Sequence, residues 1–127
     1  SNVLAQSVVQ TSLGGTQSVD KLLLPGGRVY AQREFIYKAI NDIPGLSAVK
    51  PQAAFYIFPK IDREMYKIDN DEQFVLDFLK QEKILLVHGR GFNWKEPDHF
   101  RIVYLPRVDE LAEIQEKMER FLWQYRK

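Results

Sequence analysis

Apolar residues recur along this chain at two different spacings, and the alternation between them sets out its elements. Val3-Leu4-Ala5-Gln6-Ser7-Val8-Val9-Gln10-Thr11-Ser12-Leu13 reads as an interrupted amphipathic helix that stops at Gly14-Gly15, a helix C-terminal signal. After Pro25-Gly26-Gly27 a second helical pattern places Val29, Ile36, Ala39, Ile40 and Ile43 on or near one face, until Pro44-Gly45 turns the chain. Leu46 to Val49 is a short strand candidate, and Pro51 to Pro59 a stronger one, rich in aromatics. Asp69, with Glu72 three residues on, predicts a capped helix whose buried stripe is Phe74, Val75, Phe78 and Leu79. Ile84 to His88 is an apolar run of strand length. A loop from Gly89 to Pro97 leads to a further strand through Arg101. The last helix follows Pro106, with Leu111, Ile114, Met118, Phe121 and Leu122 at helical spacing.

Helices and strands mix without strict alternation. The expected fold class is therefore α+β: a small mixed or antiparallel sheet with helices packed on one face, preceded by a separate helix. At 127 residues the chain is long enough for one domain with its own core. It has no cysteine, which removes disulfides, thiolate metal sites and a cysteine nucleophile. A net charge of +1 supplies no global field for nucleic acid or an anionic membrane. Neither a spanning apolar stretch nor a signal-peptide pattern is present, so a cytoplasmic protein is expected. Ser1-Asn2 reads as a cloning remnant, and a chain that opens in mid-helix reads as a piece of something longer.

Arg101 is the residue with the most chemistry in it. It stands inside the strand-like run Asp98-His99-Phe100-Arg101-Ile102-Val103-Tyr104-Leu105-Pro106. A guanidinium is always charged, and its planar fork matches a carboxylate with two parallel hydrogen bonds. Such a residue either points to solvent or is held for an anion, and the spacing alone leaves both open. His88 and His99 flank one loop, but a metal site needs a third ligand that the spacing does not supply. Gly89-Arg90-Gly91-Phe92 fits neither a dinucleotide fingerprint nor an RNA-recognition motif. Phe55, Tyr56, Phe58 and Tyr104 offer a surface for stacking bases as an alternative to core positions. The acidic pairs Asp69/Asp71 and Glu113/Glu116 read as caps and solvated faces. No residue set for nucleophilic catalysis is evident.

Three stretches in order resemble the C-terminal part of a fold-type I, class I/II pyridoxal-phosphate-dependent aminotransferase. Pro51-Gln52-Ala53-Ala54-Phe55-Tyr56-Ile57-Phe58-Pro59 is similar to the family's Pro-x-Gly-Ala-Phe-Tyr strand. Ile84 to Phe92 is similar to the strand entering its Gly-x-x-Phe loop, with Gly89 and Phe92 at matching places. His99-Phe100-Arg101-Ile102 resembles its Phe-Arg-Ile segment, and the helix Tyr30 to Ile43 falls where the family has one. Asn41-Asp42-Ile43-Pro44-Gly45 and Phe58-Pro59-Lys60-Ile61-Asp62 point to the alanine (glutamate–pyruvate) aminotransferase branch.

The resemblance implies that residues 1–24 are a linker helix region from a large domain and residues 25–127 the small domain. It implies that Arg101 grips the substrate α-carboxylate, with Phe92 and Asn93 at the pocket edge. It also implies a homodimer of the full-length enzyme, acting on amino acids and 2-oxo acids, in which the fragment is inactive alone. The cofactor would be pyridoxal phosphate, held by a Schiff-base lysine upstream of this chain. Two departures stand out: Ala53 replaces the family's glycine, and Asn93-Trp94 replaces a second glycine after Phe92. The rival reading is a non-enzymatic α+β domain that binds RNA or another partner.

Overall fold

The structure is a computed structural model that describes residues 2–127; Ser1 lies outside the described residues. The first helix, α1, runs Val3–Gly14. Asn2 is no structural bystander, because its Oδ1 accepts from the N–H groups of Leu4 at 2.8 Å and Ala5 at 3.4 Å. It satisfies two of the donors that a helix start leaves unpaired. None of α1 is buried: Val3 is 78% and Leu13 73% exposed. A short helix α2 (Asp20–Leu23) leads to α3 (Arg28–Asp42), which buries Gln32, Ile36, Ala39 and Ile40. Gly45, at φ +78°, makes the turn after α3 in the left-handed region, and a Cβ there would run into the Tyr66 ring.

Three short strands follow: β1 (Leu46–Ser47), β2 (Tyr56–Ile57) and β3 (Lys60–Ile61). After them come α4 (Asp71–Glu82), β4 (Val87–His88), β5 (Phe100–Val103) and α5 (Val108–Leu122). All pairing is antiparallel. β5 is the central strand of a three-stranded sheet, between β2 and β4, while β1 and β3 pair as a separate two-stranded sheet. Successive residues of β5 point to opposite faces. Phe100 and Ile102 face inward, 0% and 2% exposed, where Phe74 of α4 meets Phe100 at 5.8 Å between ring centroids. Phe121 of α5 closes on Phe74 and Phe78 at 5.4 and 5.0 Å, edge to face. Each such buried ring contributes about 1.5–3 kcal/mol of apolar burial. Gln32 fastens α3 to the chain after β5 by donating from Nε2 to the Leu105 carbonyl at 3.0 Å and to that of Pro106.

The α+β architecture, with helices on one face of an antiparallel sheet, is as expected, but several local expectations need correction. The cap of α4 is Asn70, not Asp69: Asn70 Oδ1 accepts from Glu72 and Gln73 N–H at 3.1 and 3.2 Å. Asp71 is not a solvated end residue but is 1% exposed. The strand expected over 51–59 is paired only at Tyr56–Ile57, because Ala54 takes φ +59° and ends the extended run. Of Ile84–His88, only Val87–His88 pairs.

Candidate functional site

Inward-facing Phe100 and Ile102 leave Arg101 on the opposite face of β5, with half-buried Val87 across from it in register. Register also brings β2 alongside, with Tyr56 opposite Val103 and Ile57 opposite Ile102. Tyr56 therefore shares the outer face with Arg101. The guanidinium carbon lies 5.0 Å from the Tyr56 ring centroid and 4.2 Å from that of Phe92. Both distances suit attraction between a cation and a ring face.

The third wall comes from the turn Gly89–Phe92, a single 3-10 turn. Gly89 starts it against β5, donating its N–H to the His99 carbonyl at 2.8 Å. The approach is so close that a Cβ on Gly89 would stand 2.7 Å from that oxygen. Asn93 ends the turn at φ 60°, ψ 22°, and its N–H donates to Arg90 O at 3.0 Å. Asparagine tolerates this left-handed conformation better than most residues, so the departure from glycine preserves the turn. Ala53, the other departure, avoids positive φ, which its neighbour Ala54 adopts instead.

Asp71 anchors the turn from below. Its Oδ2 accepts the Arg90 backbone N–H at 2.8 Å and its Oδ1 the Arg90 Nε–H at 2.5 Å. Arg90 also reaches the Asn70 side chain at 2.9 Å. Burial pushes the Asp71 carboxyl upward, but the Arg90 backbone N–H and guanidinium outweigh it and hold it below the usual carboxylate range. On the other side of the loop, Asp98 Oδ1 accepts the Trp94 indole N–H at 2.8 Å and lies 2.7 Å from His99 Nδ1. Burial raises Asp98 too, and the His99 and Trp94 hydrogen bonds overcome it, so this carboxyl also titrates low.

Arg101 itself has no carboxylate. Among the described residues no hydrogen bond or ion pair reaches its guanidinium, and its Nε is buried without a partner. A buried N–H donor left unmade is expensive. Two rings hold the charge in place while the fork stays free to take an anion. Of the expected site residues, Phe92 is brought against Arg101. Asn93 is exposed and shapes the loop, with no hydrogen bond to Arg101. Tyr56 stands beside Arg101, although the sequence offered it only a base-stacking surface or a core position; the signal was its place on β2, alternating with buried Ile57. Of the other rings weighed for base stacking, Tyr104 is 1% exposed and Phe58 is covered by His99 at 4.9 Å, stacked.

Pyridoxal phosphate does not fit the residues present. A Schiff-base lysine has to be desolvated enough to be neutral at its reacting nitrogen. Here every lysine is exposed except Lys117, which is half-buried and paired with Glu113 at 2.6 Å. Among the described residues the chain has an unpaired guanidinium at Arg101 and no lysine suited to attach the cofactor.

The glutamate-pyruvate aminotransferase AlaA of Haemophilus influenzae is 55% identical over 125 residues, covering 98% of this chain and 31% of that protein. The alanine aminotransferase of Mycobacterium bovis is 52% identical over 125 residues, 98% of this chain and 29% of its own length. The crystal structure of an aminotransferase from Escherichia coli superposes on the whole chain with a TM-score of 0.91 at 54% identity, over 31% of its own length. The chain thus spans about a third of the length of the curated relatives it matches. The family described as aminotransferase class I and II matches residues 2–121, and the chain belongs to that family.

Proposed function

We propose that this chain is the small domain of a pyridoxal-phosphate-dependent aminotransferase, with Arg101 as the residue that binds the substrate α-carboxylate. The observation that carries this is the unpaired guanidinium of Arg101, gripped between Tyr56 and Phe92 with a buried Nε that has no partner. Residues 25–127 form the domain, and residues 1–24 join it to a large domain that holds the cofactor. The wholly exposed α1, apolar at Val3, Leu4, Val8, Val9 and Leu13, supports that division, because such a surface calls for a cover. Bound pyridoxal phosphate supplies the electron sink for amino-group transfer. Arg101 supplies orientation: a bidentate pair fixes the substrate Cα relative to the cofactor. Phe92 and Asn93 form the rim of that pocket.

The amino-group exchange between glutamate and pyruvate is the favoured substrate pairing, supported by the names of the similar proteins. The full-length enzyme is read as a cytoplasmic homodimer, and this chain alone as inactive. The test is direct. The complete protein, given pyridoxal phosphate, is assayed for pyruvate formed from L-alanine and 2-oxoglutarate, beside the isolated chain under the same conditions. Pyruvate from the complete protein alone is the expected result; none from either, or cofactor bound to a lysine of the isolated chain, overturns the reading.

A further inference from the structure

Beneath the Arg101–Phe92 pair lies a second layer of side chains, fastened at a single oxygen. Phe58, two residues beyond Tyr56, touches three rings. It stacks on His99 at 4.9 Å and 29°, meets Phe92 edge-on at 6.3 Å and meets Trp94 edge-on at 5.8 Å. Trp94 in turn rests on His99 at 4.2 Å between centroids. Both polar rings end on Asp98 Oδ1, which takes the Trp94 indole N–H and faces His99 Nδ1. A carboxylate only accepts, so His99 Nδ1 carries the proton in that contact. Asp98 and His99 are 7% and 8% exposed, and the main chain pins them further. Asp98 O accepts from Ile61 N–H at 2.7 Å, and His99 O from Gly89 N–H at 2.8 Å.

A buried carboxylate is a costly way to hold rings together, since apolar packing alone would do so without desolvating a charge. What it adds is direction. Packing leaves an indole or imidazole free to choose among rotamers, whereas two charge-assisted hydrogen bonds to one oxygen fix the rotation of both rings. The fixed pair then fixes Phe58, and Phe58 sets the edge against which Phe92 lies. Phe92 carries the guanidinium on its face at 4.2 Å.

We propose that Asp98 is a positioning residue for the Arg101 clamp: through Trp94, His99, Phe58 and Phe92 it holds the guanidinium in the orientation a substrate carboxylate requires. The proposal rests on the assignment of Arg101 to the substrate carboxylate and deepens it. Asp98 touches neither substrate nor cofactor. Its effect is preorganisation, because an arginine already ordered loses less rotamer freedom when the anion arrives.

The test uses the complete aminotransferase that carries this chain and two simple probes, propionate and its neutral isostere propionamide. Their dissociation constants are measured by calorimetry for the parent, Asp98→Ala, Arg101→Lys and the double variant. Asp98→Ala is expected to weaken propionate about tenfold, the scale of a lost charge-assisted hydrogen bond, and to leave propionamide within about twofold. The double variant should bind propionate no more weakly than Arg101→Lys alone, because the two residues act on one contact. Asp98→Asn, which keeps an acceptor oxygen in place, should recover most of the affinity. Trp94→Phe removes the indole N–H to Asp98, together with part of the ring surface on His99, and should weaken propionate about threefold, which keeps the test intact if the alanine variant does not fold. Equal loss for both probes, an additive double variant, or an unchanged Trp94→Phe overturns the role of Asp98 while leaving Arg101 in place. A parent indifferent between propionate and propionamide, or an Arg101→Lys enzyme that binds both as the parent does, overturns the assignment of Arg101, and the inference with it.

Discussion

Asp71, the first residue of α4, accepts the backbone N–H of Arg90 at 2.8 Å although the two stand 19 positions apart in the chain. This contact joins the helix that packs under the sheet to the turn that delivers Phe92 to Arg101. Asp71→Ala should therefore lower the stability of the chain by about 1–3 kcal/mol, the cost of leaving the Arg90 donors without their acceptor. Urea denaturation followed by far-ultraviolet circular dichroism reads the loss. A midpoint within error of the parent's would show that the turn is held by other contacts.

Acid should act on the same contact. The carboxyls of Asp71 and Asp98 are both held below their ordinary value in the fold. A depressed folded-state value means the stabilisation is complete above the unfolded-state value of about 3.9 and is lost as pH falls through the folded one. Thermal unfolding between neutral pH and pH about 3 should show stability falling below about pH 4, and falling less in Asp71→Asn, which has no charge there to lose.

Arg101→Lys in the complete enzyme should reduce kcat/KM by several-fold to hundreds-fold, mostly through KM, since a planar fork replaced by a point charge loses about 1–3 kcal/mol. The loss should be confined to substrates with a free α-carboxylate. Steady-state kinetics for the amino acid and for its amide measure it; unchanged constants would remove Arg101 from the site.

Gly89→Ala should be destabilising out of proportion to one methyl group. The new Cβ would meet the His99 carbonyl at 2.7 Å, and backbone cannot rotate away as a side chain can. Overpacking of this kind costs about 1–3 kcal/mol. The turn should loosen with it, visible as faster hydrogen exchange at Asn93, whose N–H closes the turn. The Gly14→Ala change, with nothing within 4 Å, is the control.

Alkali tests the far side of the core. Burial, then the charge of Asp77 and the hydrogen bond to it, push the Tyr125 hydroxyl up to about 12. The folded state keeps this proton longer than the unfolded state, whose tyrosine ionises near 10. Its contribution is therefore complete below about pH 10 and is lost as pH rises toward the folded value. Tyrosinate absorbance followed against pH should show a late-titrating group that Tyr125→Phe removes.

Much of the fold is legible in local pattern. Ile36, Ala39 and Ile40 on α3, and Leu111, Met118, Phe121 and Leu122 on α5, are buried as their helical spacing requires. Helix periodicity is a local property, set by residues within a turn or two of each other, so it survives reading without neighbours. Strand lengths survive less well. Ala54 at φ +59° cuts short a run whose composition favours extension, and Ile84 to Leu86 looks like strand but finds no partner. Pairing joins residues far apart in the chain, and composition carries no record of register.

The site divides along the same line. Arg101 stands out in the order of residues alone, as a charge inside an apolar strand, and Phe92 comes with the family resemblance. Asp71 does not stand out, because an acid at a helix start reads as a cap, and only the fold brings the Arg90 turn down onto it. Asp98 likewise reads as the start of a strand until Trp94 folds back across it. By itself the sequence determined the four long helices and the residue with a charge to offer. Only the tertiary structure decided that this charge has no ion-pair partner among the described residues and lies between Tyr56 and Phe92. The physical reason is that a cation's partners are chosen by distances across strands and loops, which local sequence does not encode.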